Sequence, residues 1–108
     1  MNIRELAENL EMAEEEFLEM LDLFWETSSF DLRELQSAME EGDAQKAIHA
    51  AHSIKGAAVN LGLMEIYEVA KETEMEAREN YLERTGEMAR TIKEKLDRIA
   101  EALGRRNQ

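Results

Sequence analysis

His52, Lys55 and Gly56 stand close together in the stretch AHSIKGAAVNLG, Ala51 to Gly62. Imidazole changes charge near neutral pH, so its free base can act there as a nucleophile. A lysine one helical turn away can offset the charge of a phosphoryl group. A histidine that attacks phosphorus holds the group as a phosphoramidate. Gly56 is the odd member, because glycine inside a helix costs roughly 1 kcal/mol relative to alanine. Alanines surround it here, so helix propensity alone gives no reason for it. His49 and His52 form an i, i+3 pair, which could in principle ligate a metal, but the neighbouring sequence offers no third ligand.

The charge pattern sets these residues apart. The 108-residue chain carries a formal charge of −12, yet no Asp or Glu occurs between Asp43 and Glu65. Simple proportion would place roughly five there. The same window holds both histidines, Lys46 and Lys55. It reads either as a surface that must tolerate an anion or an acidic partner, or as a helix rich in buried alanine. The overall acidity argues against nucleic acid, whose phosphates it would repel. The basic end GRRNQ, Gly104 to Gln108, is too short to reverse that. Without cysteine there is no disulfide, thiolate metal site or cysteine nucleophile. No Gly-rich phosphate loop, Walker lysine or magnesium-type carboxylate cluster is present, so the chain would carry a phosphoryl group rather than bind nucleotide. The start, MNIRELAENL, lacks a signal-peptide core, and no run approaches a membrane span. A cytoplasmic protein with no membrane association is expected.

Helices must position this site. No proline, five glycines and a high content of strong helix formers predict an all-α chain that forms one domain over residues 1–108. Periodicity and stop signals give five segments. A short helix covers about Asn2 to Leu10. The second runs from about Ala13 to Glu40, with Phe17, Leu21, Phe24, Leu32, Leu35 and Met39 at three- and four-residue steps. Gly42 is its expected C-cap and Asp43 the N-cap of the third, which ends near Leu61 before Gly62. The fourth spans about Met64 to Asn80, with Ile66, Ala70, Thr73 and Ala77 inward. The fifth spans about Leu82 to Leu103, with Met88, Ile92, Leu96, Ile99 and Leu103 inward. Long helices joined by short loops run antiparallel, which predicts an up-down-up-down four-helix bundle with the short helix covering one end.

On the third helix Ala47, Ala51, Ile54, Ala58 and Leu61 share one stripe, the expected core face. His52 lies roughly 140° from its centre, toward solvent, with Gly56 within about 40° of it. Lys55 flanks the pair, and Ile48 and Val59 point in a similar direction. In an antiparallel hairpin centred near Leu63, residue n is level with residue 126 − n, which sets His52 opposite Glu74. Glu74 falls about 70° off its own core stripe. It is either an ordinary surface acid or a carboxylate that accepts Nδ1–H and leaves the Nε2 lone pair outward.

His52-x-x-Lys55-Gly56 followed by Gly62 resembles the signature of histidine-containing phosphotransfer (HPt) domains. The chain length, the long preceding helix, the EGD turn and the Ile66, Ala70, Glu74, Arg78 series extend the likeness over nearly the whole chain. The resemblance implies a four-helix bundle whose His52 accepts phosphoryl from a receiver-domain aspartate and passes it to another receiver. It implies that Glu74 hydrogen-bonds the ring, that Lys55 sits near the phosphate and that Gly56 leaves room for the receiver. It also implies an apolar docking surface, which suits Ile48 and Val59. Response-regulator receivers or a hybrid sensor kinase would be the partners, with magnesium on the receiver only, no cofactor of the chain's own and a monomeric state. A similar H-S-I-K-G core marks the phosphoacceptor domain of chemotaxis-type kinases, an alternative reading, although AAVNLG is more like a relay protein. Two further alternatives are an adaptor that binds a receiver without carrying phosphate, and a metal-binding bundle built on His49 and His52.

Overall fold

The computed structural model describes residues 1–105, which form five helices and no strand. They are α1 (Ile3–Asn9), α2 (Glu14–Glu41), α3 (Ala44–Asn60), α4 (Met64–Arg78) and α5 (Leu82–Ala102). The last residues of the basic end, Arg106, Asn107 and Gln108, lie outside the described part. Helix α3 packs between α2 and α4, and α5 closes the ring against α4 and α2, with α1 laid on α2. This is the antiparallel four-helix bundle with an extra N-terminal helix. At 1.5 Å per residue α2 is about 42 Å long, which accounts for the 41 Å long axis of the molecule. No helix among the described residues is long and apolar enough to cross a membrane.

The turns come from one device. After α3, Gly62 takes a left-handed conformation at φ 71°, and the Leu63 N–H donates to the Ala58 carbonyl at 3.0 Å. The same bond pattern follows α2 at Gly42 and α4 at Asn80, where the Tyr81 N–H reaches Glu76 O. Asn80, expected as the last residue of a helix, is thus the left-handed residue that stops it; asparagine tolerates this conformation better than most side chains. Asp43 caps α3 as expected, accepting from the Lys46 N–H at 3.1 Å.

The core contains the expected stripes. Phe17, Leu21, Phe24, Leu32 and Leu35 of α2 are buried against Ala47, Ile54 and Ala58 of α3, Ile66, Ala70 and Ala77 of α4, and Ile92, Leu96 and Ile99 of α5. Three expected core residues, Met39, Met88 and Leu103, are only half-buried. Small neighbours take the inner positions instead: Ala38 beside Met39, and Thr85 and Ala89 beside Met88. Thr73 and Thr85 hide their hydroxyls by donating to carbonyls one turn back, Val69 and Tyr81. Ser28 is fully buried with no partner for its hydroxyl. At the far flank of α2, the Trp25 indole N–H donates to Leu96 O at 3.1 Å. Arg105 stacks 4.5 Å from the Trp25 ring centre and pairs with Asp22 and Glu26.

Candidate functional site

His52 sits in the middle of α3 with its ring 64% exposed. The hairpin that Gly62 allows brings α4 alongside in the register the sequence predicts, with Glu74 opposite the histidine. Its carboxylate oxygens lie 3.3 and 3.4 Å from His52 Nδ1. A proton on Nδ1 donated to this carboxylate would leave Nε2 unprotonated, with its lone pair free.

Glu74 is more deeply placed than its wheel position suggests, with only 5% of its surface exposed. Its burial depends on cations from both sides. Lys55 Nζ forms an ion pair with Oε1 at 2.7 Å, and Arg78 Nη2 donates to Oε2 at 2.7 Å. Burial alone would raise the carboxyl's affinity for a proton. The hydrogen bonds and charges of Lys55 and Arg78 outweigh it, with a smaller contribution from His52, and hold the pKa down to about 2. The carboxylate is therefore ionised at any physiological pH. Its two short bonds go to the cations, and the imidazole shares what remains at longer range.

The other expected positions fall as follows. Lys55 is three-quarters buried and committed to Glu74. Val59 is exposed, while Ile48 is half-buried and rests against the core. Gly56 is helical, and a Cβ added there would meet nothing within 4 Å. Of the remaining glycines, Gly42, Gly62 and Gly104 have positive φ, and a Cβ at Gly86 would touch Met39. Gly56 alone has neither a turn nor a neighbour to explain it. His49 is exposed, and among the described residues no three His, Asp or Glu side chains converge on a possible metal position.

Two features go beyond the sequence reading: the pairing of Arg78, which there only supported the family likeness, and two exposed side chains of α2. Arg78 lies one turn beyond Glu74, and that i, i+4 spacing was the available signal for its pairing. On α2, Leu23 and Phe30 are exposed apolar side chains. The Ser53–Asp31 hydrogen bond of 2.7 Å ties α3 to α2 one residue from Phe30, so Phe30 stands level with the His52 to Gly56 turn. An exposed imidazole, a buried carboxylate behind it and a bare backbone beside it form a unit that could take up a phosphoryl group.

The sequence profile of the Hpt domain family matches residues 19–102 of the chain. The chain belongs to the Hpt domain family. HPt proteins carry phosphoryl groups rather than act as independent catalysts, and they interact with receiver domains and kinases of phosphorelays. A solved relative is histidine-containing phosphotransfer protein B (HptB) of Pseudomonas aeruginosa PAO1. It is 32% identical, with a TM-score of 0.80 over 92% of this chain and 86% of that one. No curated protein sequence matches the chain significantly. In this chain α3 and α4 lie side by side, and the site described above lies on their shared face.

Proposed function

We propose that this HPt protein is a relay intermediate that accepts phosphoryl on His52 Nε2 from a receiver-domain aspartyl phosphate and donates it to the aspartate of another receiver. The observation that carries this reading is the pairing of His52 Nδ1 with buried Glu74, which leaves Nε2 as the exposed nucleophile. In the forward step the Nε2 lone pair forms the bond to phosphorus, the bond from phosphorus to the aspartyl oxygen breaks, and the aspartate leaves as carboxylate. Positive charge develops on the ring as the N–P bond forms, and the Glu74 carboxylate, 3.3 Å behind Nδ1, stabilises it. The return step reverses this, with a receiver carboxylate as nucleophile.

Lys55 is placed to move from Glu74 toward the phosphoryl oxygens, since its stem lies one turn from His52. Gly56 gives the receiver backbone clearance, and Val59 with the exposed edge of Ile48 provides apolar contact. Phe30 of α2, level with the His52 to Gly56 turn, adds a further exposed apolar side chain. The magnesium needed to stabilise the aspartyl phosphate would reside on the receiver, and the chain would act as a monomer.

Incubation with a phosphorylated receiver tests the reading. An acid-labile, alkali-stable phosphoprotein is expected, and His52→Gln abolishes it. Label that persists in His52→Gln refutes the assignment. Receiver binding without any phosphoryl transfer would favour the adaptor reading instead.

A further inference from the structure

An anionic carboxylate against an imidazole does two opposed things. It orients the ring, and it also favours the protonated imidazolium, which has no lone pair with which to attack. A site that uses a buried glutamate to aim its nucleophile therefore risks silencing it. In this chain the carboxylate behind His52 does not act alone. Each oxygen carries a 2.7 Å bond to a cation, Lys55 on one side and Arg78 on the other, and the ring nitrogen lies farther off than either.

We propose that Arg78 is a positioning residue that balances the charge of Glu74, so that the carboxylate orients His52 without holding it protonated. The inference rests on the reading of His52 as the nucleophile. Arg78 suits this role through its place on α4, one turn from Glu74, where its guanidinium reaches Oε2 while the rest of the side chain stays in solvent. The remaining charged groups around the ring are few. From α3 they are Lys55, bound to Glu74, and exposed His49 one turn before. From α4 they are Glu74 and, bound to it, Arg78. From α2 the facing acid is Asp31, which accepts a hydrogen bond from Ser53 on the opposite flank of α3. Glu74 is thus the acid that acts on the ring directly, and Arg78 is the half of its charge balance that sequence reading had not assigned.

The effect has a definite size. Arg78 is largely exposed, so its charge is felt through a high dielectric. One unit charge at roughly 6 Å in that regime corresponds to a titration shift of about 0.5 to 1 pH unit. Loss of Arg78 leaves Glu74 less balanced and so favours the imidazolium. On the rising limb of the pH profile this means about 3- to 10-fold slower phosphorylation, with the deficit vanishing at alkaline pH.

The experiment uses the full chain, with phosphoramidate as a small phosphoryl donor that requires no docking, across pH 5 to 9. Ring C–H resonances of His52 are followed by NMR over the same range without any donor. For Arg78→Gln both midpoints should move up by about 0.5 to 1 unit, and Arg78→Lys, which keeps the charge, should restore them. A rate lowered equally at every pH, with an unmoved NMR midpoint, would overturn the proposal and make Arg78 a phosphoryl or receiver contact. An NMR shift that Lys does not rescue would also overturn it, because charge would then not be the cause. If label in wild type does not depend on His52, the functional reading fails instead, and the NMR titration still judges Arg78 separately.

Discussion

Replacing Gly56 with alanine separates the two reasons a helix can carry a glycine in its interior. If backbone packing required it, an added Cβ would collide; here it meets nothing within 4 Å, and the local backbone is ordinary helix. The whole propensity difference should then be recovered, a gain of about 1 kcal/mol in unfolding free energy. For a chain near this length that corresponds to a rise of about 4–8 °C in Tm. The same methyl group stands on the face of α3 that carries His52, so it should slow transfer from a phosphorylated receiver. It should not slow labelling by phosphoramidate, which needs no clearance. Gly56→Leu should deepen the receiver defect without changing that contrast. Thermal melts by circular dichroism and rapid-quench transfer assays measure the two effects. A lower Tm in Gly56→Ala would show that the glycine serves the fold. A normal receiver rate in both variants would refute the clearance argument.

Two further predictions concern buried polar groups. The Glu74 pKa is about 2 in the folded chain against 4.5 ordinarily, so the group stabilises the fold fully above its unfolded value and progressively less as pH falls from about 5 toward 2. A wild-type protein should therefore lose up to about 3 kcal/mol over that range that Glu74→Gln does not lose; urea titrations at pH 6, 4 and 2.5 compare them, and parallel losses would refute the assignment. Ser28→Ala removes a fully buried hydroxyl that has no partner, and should raise unfolding free energy by about 1 kcal/mol in the same urea assay. A loss of stability would mean that the hydroxyl is satisfied in solution.

Much of this architecture could be read from residue spacing because amphipathic helices and left-handed caps are local events. Gly42, Asp43 and Gly62 mark their turns through the φ and hydrogen bonds that those positions need. The hairpin register followed from a turn centred near Leu63, and it was enough to pair His52 with Glu74. The depth of Glu74 was not legible. A helical wheel reports direction on one helix, whereas Glu74 is covered by side chains from two, Lys55 of α3 and Arg78 of its own helix. Met39 and Met88 failed for a related reason: periodicity does not say which of two adjacent apolar residues is small enough for a narrow inter-helix gap. Asn80 was read as helical because its left-handed geometry depends on the chain turning there, which a propensity scale does not encode.

The attachment of Trp25 has a practical consequence. It is the sole tryptophan in the sequence, its indole N–H is held by α5 and its ring lies under Arg105. It looks toward α5, while His52 faces outward where α3 meets α4. The chain thus contains a natural fluorophore whose emission senses separation of α2 from α5 and is insulated from what happens at the imidazole. Phosphorylated and unphosphorylated protein can be unfolded side by side with the same intrinsic signal, and any difference between the curves belongs to the phosphoryl group's effect on stability, not to its effect on the dye.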